Sequence, residues 1–246
     1  MQLSQLIHGD CMEHMKNMSD NAFELAIVDP PYGINAPNMP MGSGAPSRGG
    51  RTSTAVELKK GRLNQGAGKL KDRALQNLNC DWDYEVPSPE YFEQLFRVSK
   101  NQIIWGGNYF HLPPTRGIAV WDKCQPWENF SQVELAWTSF DKPAALYRFA
   151  TTQSAKGETK IHPTQKPIEL YKWLLKRYAK EGDKILDTHV GSASSLIACH
   201  DLGFEYLGFE IDEEYYEKAK ERLERVKAQA SIFDFGVSHF EEEAVK

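Results

Sequence analysis

Apolar positions along the chain fall into short continuous runs and helical stripes that alternate. Phe23-Glu24-Leu25-Ala26-Ile27-Val28 is nearly unbroken, which predicts a strand buried on both faces, and it closes on Asp29-Pro30-Pro31-Tyr32. Before it, Gln2 to Ile7 predicts a short strand ending at His8-Gly9-Asp10, and Cys11 to Met18 one or two helical turns. After it, Pro89 to Val98 carries Tyr91/Phe92, Leu95/Phe96 and Val98 at helical spacing. Gln102 to Trp105 reads as a strand turned by Gly106-Gly107. Ile118 to Trp121, Val133 to Trp137 and Leu146 to Phe149 read as three strands of a meander at a sheet edge. Thr164 is a good N-cap, Pro167 suits a first turn, and Ile168, Tyr171, Leu174, Leu175 and Tyr178 form one apolar face that Gly182 ends. Lys184 to Leu186 then predicts a strand, Ser192 to Leu202 a helix, and Phe204 to Phe209 a strand. A last helix from Asp212 has Tyr216, Ala219, Leu223 and Val226 on one side. Residues 231–246 are weakly patterned and expected to be weakly ordered.

The second half thus runs strand, small-residue loop, helix, strand, acid, helix, the sequence form of a parallel βαβ unit. With 246 residues the chain is long enough for one sizeable core, and a single α/β domain over 1–246 with an inserted segment is the expected organisation. The insertion is 36–80, rich in glycine and basic residues and without hydrophobic periodicity, as befits a recognition loop or small target-recognition region.

Net charge is −5, which argues against a generally basic nucleic-acid binder, but its distribution changes that picture. Arg48, Arg51, Lys59, Lys60, Arg62, Lys69, Lys71 and Arg73 face only Glu57 and Asp72 between positions 46 and 73, a local charge of +6. Such a segment is either a solvated loop or a grip on phosphates, and the two are compatible. Cys11, Cys80, Cys124 and Cys199 are scattered, with no spacing suited to a zinc site, as expected of reduced thiols in the cytoplasm. No stretch is apolar for long enough to cross a membrane, and the first residues lack the pattern of a signal peptide.

Three places carry candidate chemistry. The Asp29-Pro30-Pro31-Tyr32 turn puts a carboxylate, a proline-fixed carbonyl and an aromatic face into one small space, a set suited to gripping a planar base by its amino group. Its plainer reading is a turn-forming Asp-Pro. The run Asp187-Thr188-His189-Val190-Gly191-Ser192-Ala193-Ser194-Ser195 ends a strand in an acid and enters a helix through small residues, so a ligand can approach free N–H groups. Glu210 follows at the end of the next strand, where an acid can accept two ribose hydroxyls. The plainer reading is a tight turn that binds nothing. In His162-Pro163-Thr164-Gln165-Lys166-Pro167, a lysine near a helix start opposes the helix dipole, which makes sense if it meets an anion such as a small-molecule carboxylate. Asp10 reads equally as a helix N-cap or a ligand contact, and Trp105 and Tyr109 as packing residues.

Together and in this order, the three motifs resemble the beta-class amino-group DNA methyltransferases, adenine-N6 and cytosine-N4 enzymes in which the catalytic half precedes the cofactor half. The resemblance spans about Asp10 to Leu223. It implies a Rossmann-like, circularly permuted, mostly parallel seven-stranded sheet with one antiparallel strand and helices on both faces. It implies S-adenosylmethionine as cofactor and flipped-out DNA as substrate. Asp29, Pro30, Pro31 and Tyr32 would hold the target base. Asp187, Gly191 and the following small residues would line the methionine moiety, with Thr164 and Lys166 near its carboxylate. Glu210 would take the ribose, and Asp10, backed by Cys11, would face the cofactor adenine. His162, Thr188, His189, Ser192 and Ile211 complete the implied cofactor set.

The family pattern Asp-Pro-Phe-x-Gly-Ser-Gly-Thr-Thr is altered here: Thr188-His189 replaces Pro-Phe, as in variants from phage and mobile elements, and Ala193 replaces the second glycine. A methyl at 193 would crowd the cofactor if that position has positive φ. Asp29 favours adenine-N6 over cytosine-N4, whose motif often begins with serine. A degenerate homologue that binds nucleic acid without turnover, and methylation of RNA or a protein amide, are the alternatives. A homodimer and a cognate restriction enzyme are expectations by analogy with the class alone.

Overall fold

Parallel pairing of two central strands organises the molecule. The computed structural model describes residues 3–34, 83, 85–125, 131–150 and 160–243, with side chains as far as 229. The whole of the 36–80 insertion, with its eight basic residues from Arg48 to Arg73 and Cys80, lies outside the described residues.

The strands are β1 (Gln5–His8), β2 (Phe23–Val28), β3 (Ser99–Trp105), β4 (Ile118–Asp122), β5 (Val133–Thr138), β6 (Ala145–Arg148), β7 (Lys184–Asp187) and β8 (Glu205–Glu210). The helices are α1 (Cys11–Met15), α2 (Pro89–Val98), α3 (Ile168–Tyr178), α4 (Ser194–Asp201) and α5 (Glu213–Glu243). One sheet runs β1-β8-β7-β2-β3-β5-β4-β6. Every neighbouring pair is parallel except the two that β5 makes, with β3 and with β4.

The sheet therefore has the single reversed strand expected, but eight strands instead of seven. The expected meander is also corrected. β6 does not return beside β5. It pairs parallel to β4 on the outer edge, Ala119 opposite Ala145 and Asp122 opposite Arg148. The reason is that both edges of β5 are occupied, one by β3 (Ile104 opposite Trp137) and one by β4. Trp121 Nε1 donates to the Phe149 carbonyl at 2.9 Å, and Tyr147 stacks on Trp173 of α3 at 5.1 Å, which seals that edge.

β2 is apolar throughout because both its faces are covered. Leu25 and Ile27 join the core formed with Leu170, Leu174 and Leu175 of α3 and Leu196, Ile197 and Ala198 of α4. Ala26 and Val28 point the other way, into a second core with Met15 of α1 and Tyr91, Leu95 and Val98 of α2. Arg97 ties α2 to the end of α1, donating to the carbonyls of Met15 at 2.6 Å and Met18 at 2.7 Å and to Asp20 at 2.8 Å. Two helix boundaries differ from expectation. α3 begins at Ile168 instead of Thr164, and Pro167 occupies its N-cap, so the Thr164 hydroxyl is left for a local partner. α5 continues to Glu243, through positions where the pattern weakens. Among the described residues no helix is long and apolar enough to cross a membrane.

Candidate active site

β2 and β7 lie side by side and parallel, Leu25 opposite Ile185 and Ala26 opposite Leu186, so both strands release their C-terminal turns on one edge of the sheet. The first turn carries Asp29 and the second follows Asp187. Crevices beyond the carboxyl ends of such strands are where open α/β sheets take ligands.

At the first turn, Asp29 Oδ1 accepts the Tyr32 hydroxyl at 2.5 Å and Oδ2 accepts Lys166 Nζ. Pro30 is buried and Pro31 half-buried, and together they fix the turn. The Tyr32 ring stacks on Tyr109 with centroids 5.0 Å apart and planes 14° apart, and Phe110 meets it edge-on. Tyr109 was read as packing, yet it is 45% exposed and forms the outer wall here. Tyr32 reaches this place because position 106 is glycine. Gly106 has φ +68°, and a Cβ there would sit 2.2 Å from a Tyr32 ring carbon. Asp83, just beyond the basic insertion, accepts the amides of Tyr32 at 2.6 Å and Gly33 at 3.0 Å and pins the turn from outside.

Lys166 has the anionic partner its helix-start position predicts, but the partners are protein carboxylates. Its ammonium contacts Asp29 and, at 3.2 Å, Glu134 of β5, and it lies 5.2 Å from the centroid of Trp105. Glu134 also pairs with Lys123, which follows β4. Burial opposes the charge on Lys166, yet Asp29 and Glu134 outweigh it and hold the lysine above its ordinary range. Burial likewise opposes the charge on Glu134, and Lys166 and Lys123 outweigh that and hold it below the usual carboxylate range. Burial, with Asp29 and Glu134, keeps the Tyr32 phenol protonated.

The second turn is a tightly satisfied loop. Asp187 accepts the Ser195 hydroxyl and, at 3.0 Å, the His189 amide. Burial nonetheless pushes its carboxyl up to about 7. Gly191 has φ +55° and donates to Glu210 Oε2 at 2.7 Å, while Glu210 Oε1 accepts the Asp212 amide at 3.0 Å. Burial raises the Glu210 carboxyl. Ala193 adopts φ +61°, the left-handed region in which a side chain costs about 1–2 kcal/mol. It is fully buried and belongs to the core with Leu196 and Ile197. Arg222 of α5 holds the loop from behind, donating to the Ser192 carbonyl at 2.6 Å and the Ser194 hydroxyl at 3.0 Å.

Thr188-His189, in place of Pro-Phe, makes a chain of contacts: Tyr91 Oη lies 2.7 Å from the Thr188 hydroxyl, which lies 2.9 Å from His189 Nδ1. Burial lowers His189 to about 4. His162 packs over Gly191, with ring atoms 3.6 Å from where a Cβ would be, and meets Tyr215 edge-on at 4.4 Å. The Thr164 hydroxyl lies 3.1 Å from His162 Nδ1, and burial, with Lys160, Lys166 and Lys218, lowers His162 to about 3. Asp10 caps α1, its Oδ1 accepting the Met12 amide at 2.8 Å, as the plainer of its two readings has it. Burial and Asp10 push the adjoining Cys11 thiol up to about 12, so it is unreactive. Ile211 is 64% exposed beside Glu210.

The structure thus gathers Asp29, Pro30, Pro31, Tyr32 and Lys166 at one turn, and His162, Asp187, Gly191, Ser192 and Glu210 at its neighbour. Glu134, Lys123, Asp83 and Arg222 escape the sequence reading, and Gly106 and Tyr91 are read there only as a turn and a packing residue. Glu134 sits inside a strand pattern that reads as ordinary alternation, and nothing local marks its cationic partners.

Comparison with known proteins agrees with this geometry. Residues 119–221 match the N6/N4 methyltransferase family model, described as a DNA methylase. The type II methyltransferase M.HpaI of Haemophilus parainfluenzae is 24% identical, over 89% of this chain and 74% of its own. M2.DpnII of Streptococcus pneumoniae is 22% identical over 89% of each. The crystal structure of the M1.HpyAVI–SAM complex superposes with a TM-score of 0.52 at 17% identity, covering 89% of this chain and 98% of that one. Over residues 119–221 the chain is similar to the N6/N4 DNA methylases, and its fold is the Rossmann-like one of the M1.HpyAVI structure.

Two outcomes follow for the site's stability. Gly106→Ala is expected to cost more than about 1 kcal/mol in urea unfolding, since left-handed strain adds to the displacement of Tyr32; an unchanged midpoint would show that the ring yields freely. Acidification is expected to lower the thermal midpoint. His162 and His189 are held neutral when folded but take up protons below about 6.5 when unfolded, so the stability they contribute is present above 6.5 and lost as pH falls toward their folded values of about 3 and about 4. Asp187, raised to about 7, and Glu210, also raised by burial, act oppositely, losing stability as pH rises, but the lowered Glu134 acts with the two histidines. In melts between pH 6.5 and 4.5, His162→Gln should flatten the decline.

Proposed function

We propose that this protein transfers a methyl group from S-adenosylmethionine to the exocyclic N6 amino group of an adenine flipped out of DNA. The observation that supports it most is Asp29: an ion-paired, partly exposed carboxylate at the end of β2, beside the strand that carries the small-residue turn.

The second turn fits such a cofactor. The nearest atoms to an added Cβ at Gly191 are those of the His162 ring, at 3.6 Å, so that ring would flank a cofactor lying along the loop. Glu210, at the end of β8, has lone pairs beyond those given to Gly191 and Asp212 and would take the ribose hydroxyls, with exposed Ile211 beside it for a flat apolar ring. Asp187 and Ser192 shape the loop from beneath. Ala193 is fully buried in the core, which supports a loop that seats the cofactor without the expected crowding. S-adenosylmethionine supplies a methyl carried on a sulfonium, electrophilic enough that no covalent enzyme intermediate is needed.

The N6 lone pair of adenine is delocalised into its ring and must be freed. Asp29 Oδ1 now accepts a hydroxyl from Tyr32. An amino N–H is a donor of the same kind, and in this reading it takes that place on Oδ1 while the Pro30 carbonyl accepts the other N–H. Nitrogen is thereby drawn toward tetrahedral geometry. With the cofactor bound, the N6 pair would form the N–C bond to the methyl that the sulfonium supplies, the C–S electron pair leaving with sulfur. Positive charge passes to N6, which gives one proton to the Asp29 carboxylate and so to water. The Tyr32 ring supplies the stacking face. Lys166 serves here as the counter-ion of Asp29 and not as a clamp for the cofactor's carboxylate. Flipping the base costs a few kcal/mol, which phosphate contacts by the basic segment would offset.

Nucleoside analysis of DNA treated with the wild type is expected to show N6-methyladenine, and Asp29→Ala to lower the yield at least about a hundredfold. N4-methylcytosine in its place would overturn the choice of base. Neutralising Arg48, Arg51, Lys59, Lys60 and Arg62 together should weaken DNA binding and flatten its dependence on salt; an unchanged slope removes the segment from the interface.

A further inference from the structure

Four side chains from four separate elements converge behind the base-holding turn, and two of them touch nothing that reacts. Lys166, before α3, contacts Asp29 on one side and Glu134 of β5 on the other, at 3.2 Å. Glu134 in turn contacts Lys123, at the end of β4, through its other oxygen. The order is Asp29, Lys166, Glu134, Lys123, with charges alternating along it. Lys166 is 3% exposed, Asp29 16%, Lys123 19% and Glu134 24%, so both carboxylates and Lys123 reach water and the ammonium between the carboxylates does not.

The charge of one buried ammonium is therefore divided between two carboxylates. The more strongly Glu134 draws on it, the less it neutralises Asp29, and the more of the Asp29 charge is left for an amino group that turns cationic. We propose that Glu134 is a positioning residue that sets how far Lys166 neutralises Asp29, and that Lys123 sets the strength of Glu134 in the same way. The inference rests on the methyl-transfer reading for its kinetic consequence, and on the geometry alone for its electrostatic one.

The other groups that face Asp29 do not compete for this role. Tyr32 on its own turn, Tyr171 of α3 and Tyr91 of α2 are all held protonated by burial, with nearby acids adding to the effect. Asp187 of β7 interacts with Asp29 across the strand pair but is itself engaged by Ser195 and His189. Lys160 lies within electrostatic reach of Glu134 and Lys123, outside the chain of contacts.

Alternation predicts opposite signs for two neutralising changes, and a purely structural role does not. Glu134→Gln gives Lys166 wholly to Asp29. It should lower kcat about tenfold with KM for DNA within about twofold, and move the acid limb of the pH–rate profile down by about half a unit or more. Lys123→Gln frees Glu134 to draw harder on Lys166 and should move that limb up. The same opposed displacements should appear in the carboxylate-carbon NMR titration of Asp29, assigned with Asp29→Asn, in protein that melts cooperatively and without any DNA. Displacements in one direction for both variants, or none in either, would overturn the proposal. A wild type inactive on DNA whose titrations still shift in opposite senses would sink the methyl-transfer reading and leave this electrostatic control standing.

Discussion

The parallel pairing of β2 with β7 is the constraint on which the site depends. Two strands separated by about 160 positions in the chain lie in register from Leu25 opposite Ile185, and each ends in an acid-bearing turn on the same edge. Neither turn makes a crevice by itself. The pairing is secured because Leu25, Ala26, Ile27 and Val28 are all buried, alternately in the two cores that flank the sheet. A one-residue slip would exchange those faces and carry Asp29 out of reach of Lys166.

Electrostatics then separates the two turns. The first is built on full charges in alternation, with Lys166 and Glu134 each held ionised against burial by neighbours of opposite charge. The second is built on groups whose charge burial opposes. Its histidines are depressed to about 3 and about 4, Asp187 is raised to about 7, and backbone N–H groups point at Glu210. Under the proposed methyl transfer, an environment that supports an ionised carboxylate beside one that keeps its imidazoles neutral would divide gripping a base from seating a small molecule. The left-handed Ala193 belongs to this second turn. The strain of that conformation is offset by burial of its methyl and by the hold of Arg222 on the carbonyl next to it.

Much of this was legible from residue order. The span of β2, the apolar faces of α2 and α3 and the strand–loop–helix–strand order of the second half follow from local pattern, because period and punctuation are properties of neighbouring residues. The three motifs were legible for the same reason. What the pattern missed was assembly. The strand at 145–148 looked like the return of a meander, but β5 had no free edge to offer it. Thr164 looked like a helix cap, but the turn before α3 runs on to Pro167, and its hydroxyl went to His162.

Lys166 shows where the division falls. Its sequence position at a helix start, opposed to the dipole, determined that it would need an anion. Only the tertiary structure decided that the anions would be Asp29 and Glu134, because those carboxylates come from strands whose adjacency is set by sheet order and not by spacing in the chain. Residue types determined that there would be a carboxylate turn, a small-residue turn and a ribose-suited acid. Folding decided that they would share one edge, since long-range pairing depends on which hydrophobic faces can be buried together, and no local window of sequence contains that information.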